Sequence, residues 1–319
     1  MNVWAVDFDG KMENLALMRV SNWHKQQGHS VILKRLSNTR QRKVDIAPAC
    51  PPLFDRPGKV YVSCLFRWNA VEAKSLQLQW GDACELGGTG VDILKALPEP
   101  MATCEPDYDL YGKDRAVGFI SRGCPNRCPW CVVWRKEGQL NYASSAQHIV
   151  GDRAEAIFLD NNFLALPGHE NELRWLAEQG TAIDFNQGLD VKYVTPENAA
   201  LMARCNWLAG PRFAMDADSR EPVVERALAY LSEAGIKPGR IMLYILIGFH
   251  GLESDVRRLL KAREWGVWAY PMGFRDLDTG DEPARGWDRR LYKKFRRLII
   301  RLPHATTVWE DFEKEVVRA

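Results

Sequence analysis

The sequence of 319 residues contains no apolar run approaching the ~18 residues needed to cross a bilayer, so no membrane-spanning helix is expected. Its start, MNVWAVDFDG, lacks a basic segment followed by an apolar one, so a cytoplasmic location is expected. Eight cysteines are too few for a disulfide scaffold in a chain of this length. Internal repeats and low-complexity stretches are also missing. A net charge of +2 gives the whole molecule no general attraction for polyanions. What is present is an ordinary globular composition, 46% hydrophobic, enough for a substantial core and roughly two domains.

The small charge excess is concentrated in one place. Arg285, Arg289, Arg290, Lys293, Lys294, Arg296, Arg297 and Arg301 face a single acid, Asp288, while the rest of the chain is net negative. Trp287, Leu291, Phe295, Leu298 and Leu302 recur at helical spacing, so residues 281–319 read as a basic amphipathic helical segment. A solvated cationic face is the ordinary meaning of such a pattern. Contact with nucleic acid is the functional one.

Strands and helices alternate. Val3–Phe8, Ser30–Leu33 and Val60–Phe66 read as strands, with helices over Asn14–Gln27 and Asn69–Trp80 and a flexible Gly87-Gly88-Thr89-Gly90 turn. Residues 1–100 are therefore expected to form a small open α/β domain, followed by a proline-containing linker over Leu97–Asp109. Six further strands follow, Val117–Ile120, Ala156–Leu159, Ala182–Phe185, Arg212–Met215, Ile241–Ile247 and Val267–Pro271. Helices separate most of them, notably Glu170–Gln179, Pro196–Arg204, Glu221–Ala234 and Leu252–Trp265. Six repeats cannot close an eight-stranded barrel, so an open partial barrel over residues 112–280 is expected, its chemistry at the C-terminal strand ends.

Three cysteines crowd behind the first of these strands, in Gly118-Phe-Ile-Ser-Arg-Gly-Cys124-Pro-Asn-Arg-Cys128-Pro-Trp-Cys131. Three thiolates can hold three irons of a cubane and leave the fourth open to an outside ligand. Gly123, Pro125 and Pro129 keep the stretch from becoming helical, so the thiolates can converge. Structural zinc normally uses a second cysteine or histidine pair, and none follows here. Cys50, Cys64, Cys84, Cys104 and Cys205 are scattered and read as small buried hydrophobes.

The spacing Cys124, Cys128, Trp130, Cys131 resembles the C-x3-C-x-aromatic-C signature of the radical S-adenosylmethionine (SAM) superfamily. That resemblance implies a 4Fe–4S cluster on Cys124, Cys128 and Cys131. It also implies SAM as the fourth-iron ligand, a partial (β/α)6 barrel, and an electron donor such as flavodoxin or ferredoxin. By the same resemblance Trp130 sets backbone against adenine. Asp160 and Asn161, in Asp160-Asn161-Asn162-Phe163, would accept from the SAM ammonium, a strand-end turn with Asx caps being the structural alternative. Asn186 to Asp190, Asp216 and Asp218 would reach ribose, carboxylate or substrate. Gly248, in Ile245-Leu246-Ile247-Gly248-Phe249-His250, and Pro271 would border the adenine, with Tyr244 replacing the family's first glycine. His250 is expected to be a hydrogen-bonded loop residue.

Residues 1–100 resemble the Rossmann-like cobalamin-binding domain that precedes some members' barrels. The lower-ligand motif Asp-x-His-x-x-Gly is absent and His24 lies inside a helix, so cobalamin is not favoured. Nor do Cys50, Cys64 and Cys84 match the second-cluster set of methylthiotransferases. The expected function is reductive SAM cleavage to a 5′-deoxyadenosyl radical that takes hydrogen from a substrate. The alternatives are methyl or methylthio transfer to nucleic acid or protein, or a noncatalytic iron–sulfur or zinc protein that binds nucleic acid.

Overall fold

The computed structural model describes residues 1–36, 56–276, 278–284 and 288–301. Cys50, Trp287 and Leu302 lie outside them. The chain divides into two compact units, Met1–Val117 and Gly118–Ala319.

In the first unit, β1 (Asn2–Asp7), β2 (Ser30–Arg35), β3 (Lys59–Ser63) and β4 (Cys84–Gly87) form a parallel sheet in the order β2–β1–β3–β4. Helices α1 (Leu15–Gln26) and α2 (Ala70–Trp80) follow β1 and β3. The alternation along β1 explains why both faces need cover: Val3 and Ala5 pack with Leu17 and Val20 of α1, while Trp4, Val6 and Phe8 pack with Ala73 and Leu76 of α2. Asn14 caps α1 by accepting from Ala16 N (3.1 Å) and Leu17 N (3.2 Å), and donates to Ser63 Oγ at 2.8 Å. The Gly87–Gly90 turn needs its glycines, since a Cβ on Gly88 would come within 2.3 Å of Cys64 O.

The second unit begins in β5 (Ala116–Gly118), which carries the chain out of the first. A two-residue antiparallel pair follows, β6 (Ser121–Arg122) with β7 (Asn141–Tyr142), enclosing the cysteines and the short helix α3 (Val133–Lys136). Next come α4 (Ala146–Val150), β8 (Glu155–Phe158), α5 (His169–Gln179), β9 (Ala182–Phe185), α6 (Pro196–Arg204) and β10 (Asn206–Trp207). One sheet has the order β10–β9–β8–β5. The remaining elements are β11 (Arg212–Met215), α7 (Glu221–Glu233), β12 (Met242–Ile247), α8 (Leu252–Glu264), β13 (Trp268–Gly273) and α9 (Arg289–Arg301). Strands β11, β12 and β13 pair in parallel, and a single parallel bridge, Leu189 to Phe213, joins the two sheets.

Two expectations need correction. Pro271 does not end its strand: it sits opposite Ile245 inside β13, which runs on to Gly273. β13 is an edge strand, where a missing N–H is tolerated. In α9 Tyr292, Phe295 and Ile299 are buried, while Leu291, expected on the apolar stripe, is not; the Leu298 side chain lies outside the description. Leu291 stays half-buried because Tyr292 fits a seat made by two glycines, which sets the helix phase. No helix among the described residues is long and apolar enough to cross a membrane.

Candidate metal and cofactor centre

The loop carrying Cys124, Cys128 and Cys131 starts with Gly123 at φ +80°, where a Cβ would lie 2.2 Å from Gln139 O. Cys124 N donates to Gly138 O (3.3 Å) and Cys131 N to Cys128 O (3.0 Å), while Trp134 Nε1 donates to Cys128 O (3.2 Å). Glu137 ties the entrance. Its carboxylate accepts from Arg122 (2.9 Å), Gly123 N (3.1 Å) and Asn161 Nδ2 (2.7 Å).

Four strand ends then hold the loop. From the end of β8, Asn162 Nδ2 donates to Cys124 Sγ at 3.4 Å. Beyond β9, Asp190 accepts from Asn126 Nδ2 at 2.9 Å and from Arg220. After β11, Asp216 Oδ2 accepts from Trp130 Nε1 at 3.3 Å. Past β12, Phe249 and His250 meet the Trp130 ring edge-on, with centroids 5.0 and 5.4 Å away. The loop and the ends of β8, β9, β11 and β12 therefore form one site.

None of the three cysteines is in a disulfide. Burial pushes the Cys128 thiol up to about 11, and neighbouring Cys131, Asp216 and Cys124 add to the rise. Cys131 is raised for the same leading reason. Three thiols within each other's electrostatic reach, beside an acid, make an environment hostile to bare thiolates and suited to a polycation that neutralises them. Among the described residues no three His, Cys, Asp or Glu side chains form a group suited to a single metal ion. A cubane does not require one, because each thiolate takes a different iron. Asn162 Oδ1 is buried with no hydrogen-bond partner, an acceptor left over beside Cys124. The residues present fit an iron–sulfur group.

Other residues singled out from the sequence occupy different places. Asp160 is 1% exposed and spends both oxygens on the chain leading into the loop, accepting from Ile120 N (3.1 Å), Ser121 N (2.6 Å) and Ser121 Oγ (2.7 Å). Burial lifts its carboxyl to about 6 despite these bonds. Asn161 turns to Glu137, and Asp218 to Ser254, Arg257 and Arg258 of α8. Gly248 lies beyond β12 at φ +85°, its N–H donating to Asp255. In the first unit, His24 is buried between His29 (Nδ1 to Nδ1, 2.9 Å) and Tyr61 (Nε2 to Oη, 3.1 Å), leaving no ring nitrogen for a cobalt. Cys64 follows β3 and Cys84 pairs with Val60 at its other end, so the two thiols do not converge.

Sequence reasoning missed a second support beneath the strand ends. Asp255 and Arg258 are both fully buried; their ion pair joins α8 to Gly248 N and to the carbonyl of Asp216, the latter at 2.6 Å. In LESDVRRLLKARE nothing separates these two charges from their solvated neighbours. Glu137 gave only one signal, its place in the same short loop as the cysteines.

The fold and site define an α/β protein with parallel sheets whose strand ends grip a three-cysteine loop. No family model matches the chain, and no curated protein matches it. Among solved structures it shares its fold with the radical S-adenosylmethionine methyltransferase TsrM from Kitasatospora setae, solved with tryptophan substrate and a SAM analogue, aza-SAM, bound. The identity is 14% and the TM-score 0.56, over 86% of this chain and 73% of that one. The likeness is one of fold.

Proposed function

We propose that the chain is a radical SAM enzyme, with Cys124, Cys128 and Cys131 as ligands of a 4Fe–4S cluster and SAM as the cofactor beside it. The observation that carries this reading is the three-thiol loop clasped by four strand ends, with Asn162 Oδ1 left unpaired next to Cys124. β5, β8, β9, β11, β12 and β13 are read as one six-stranded partial barrel, continuous through the Leu189–Phe213 bridge. When bound, the cluster supplies the electron that breaks the C5′–S bond of SAM, giving methionine and a 5′-deoxyadenosyl radical.

The chain's own residues bind and orient. Asn162 Nδ2 donates to Cys124 Sγ, and its free oxygen is suited to an ammonium. Asp216 fixes the Trp130 indole, so that the backbone of Pro129–Cys131 presents a constant edge to adenine or ribose. Asp190 holds Asn126 and Arg220 together, placing a cation where a carboxylate is to be met. Asp160 and Glu137 are positioning residues, since they touch the loop and its approach rather than the reactants. A one-electron donor such as flavodoxin or ferredoxin completes the reaction.

The test is anaerobic reconstitution with iron and sulfide, followed by electron paramagnetic resonance of the reduced protein with and without SAM. About four irons per chain and a spectrum that changes on adding SAM are expected. A spectrum indifferent to SAM contradicts the reading.

A further inference from the structure

The three residues that follow the end of β8 are tied to different parts of the cysteine loop. Asp160 accepts from Ile120 and Ser121 ahead of it, Asn161 Nδ2 donates to Glu137 at 2.7 Å, and Asn162 Nδ2 donates to Cys124 Sγ at 3.4 Å. Asn162 is 2% exposed. Its carbonyl accepts from Ala165 N at 3.2 Å, and the next side chain, Phe163, is fully buried with its ring 4.5 Å from that of Phe185. The fold of β8 and β9 therefore fixes this amide, independently of the sulfur it meets.

A thiolate only accepts, so the amide nitrogen must face Cys124, and Oδ1 is turned away from it. That oxygen is buried and has no hydrogen-bond partner. Such an orphan calls for a donor from outside the chain. Cys124 Sγ also accepts from Asn126 N at 3.4 Å. N–H groups aimed at a ligand sulfur stabilise the more negative, reduced state of an iron–sulfur group, and so raise its reduction potential. Of the two donors on Cys124, Asn162 is the one that a side-chain replacement removes.

We propose that Asn162 couples SAM binding to cluster reduction: with Nδ2 on Cys124 and Oδ1 on the SAM ammonium, one amide lets each event favour the other. An amide that accepts from a cation is polarised, and its N–H becomes a stronger donor. The strengthened N–H···S bond stabilises negative charge added at the sulfur. Linkage is reciprocal, so the factor by which SAM favours reduction equals the factor by which reduction tightens SAM. Charge on the cofactor also raises the potential through space, and that part does not depend on Asn162. This coupling rests on the proposed function for the cluster and for SAM, and adds the residue that joins them.

The test is a redox titration of full-length reconstituted protein, followed by electron paramagnetic resonance, with and without saturating S-adenosylhomocysteine. This probe carries the ammonium and carboxylate of SAM without the sulfonium charge, so no turnover intervenes. Asn162→Leu puts an apolar group beside the sulfur and keeps water from replacing the lost donor. It is expected to shift the reduced-to-oxidised ratio at fixed potential roughly five- to ten-fold toward the oxidised side, about 40–60 mV at ~59 mV per decade for one electron. Most of the further shift that the probe causes in the wild type should disappear with it. Asn161→Leu removes an amide that bonds Glu137 and not a sulfur, and should leave the potential near that of the wild type. A merely structural role for Asn162 lowers iron content without moving the potential of the clusters that form. Asn162→Asp, which keeps the size and the acceptor but not the donor, is the second variant. Its potential should fall while the probe still binds. A potential unchanged by Asn162→Leu, a probe-induced shift as large in that variant as in the wild type, or loss of the probe from Asn162→Asp overturns the proposal and leaves the proposed function standing. A wild-type signal that ignores SAM overturns both.

Discussion

Trp130 Nε1 donates to Asp216 Oδ2 at 3.3 Å, so the aromatic residue of the cysteine loop is anchored to the end of β11 while its ring edge meets Phe249 and His250 beyond β12. One side chain thereby couples the loop to two parallel strands, and burial raises the Asp216 carboxyl while the indole N–H works against that rise. Trp130→Phe keeps a ring and removes the donor. The expected outcome is full iron content with an affinity for SAM lowered roughly five- to ten-fold, the scale of one lost hydrogen bond of about 1 kcal/mol or slightly more. Iron assay and equilibrium binding of SAM check it; unchanged affinity speaks against the orienting role.

Cys128→Ala is expected to abolish the brown charge-transfer absorbance and all SAM turnover. Cys205→Ala is expected to spare both, because Cys205 is buried against the carbonyls of Leu173 and Leu201 and its thiol is pushed up to about 12 by burial. Equal loss in the two variants contradicts the ligand assignment.

Glu137→Ala leaves Gly123 N–H, Asn161 and Arg122 without their common acceptor. A local cost of about 1–3 kcal/mol is expected. It should appear as lower iron incorporation and faster amide exchange over residues 121–139, with exchange in the first unit unaltered. Hydrogen-exchange mass spectrometry makes the comparison.

Asp255→Ala leaves the fully buried Arg258 guanidinium with only the partly exposed Asp218 carboxylate as counter-ion. The second unit should lose about 3–5 kcal/mol, and the double variant Asp255→Leu, Arg258→Met should regain much of it, since an apolar pair has no charge to desolvate. Urea denaturation reads both. A double variant as weak as the single one counts against the buried pair.

Burial, aided by the charges of His29 and Lys59, lowers His24 from 6.5 to about 4. As pH falls, the unfolded chain takes the proton first, so stability is lost between about 6.5 and about 4, by at most about 4 kcal/mol at ~1.4 kcal/mol per unit. His24→Gln should flatten that part of the profile, followed by amide exchange of α1 and β1. An equal slope in wild type and variant contradicts it.

The sequence made some of this legible and left the rest hidden for physical reasons. Cysteine spacing survives any fold, and strands such as β8, β9 and β12 announce themselves because their apolar runs are mostly buried. Asp160 could not be read further because a carboxylate after a strand looks the same in sequence whether it meets a ligand or accepts from Ile120 and Ser121. The β6–β7 pair is two residues long, too short for any period. α9 showed its amphipathic character, but Gly248 and Gly273, distant in sequence, decide which residue it buries.

Release of 5′-deoxyadenosine from SAM by the reduced, reconstituted chain tests the central claim most directly. The account predicts 5′-deoxyadenosine and methionine by mass spectrometry under dithionite, dependent on Cys124, Cys128 and Cys131. S-adenosylhomocysteine accompanying them points to methyl transfer on the same chemistry. A chain holding about four irons that releases no deoxyadenosine contradicts the account.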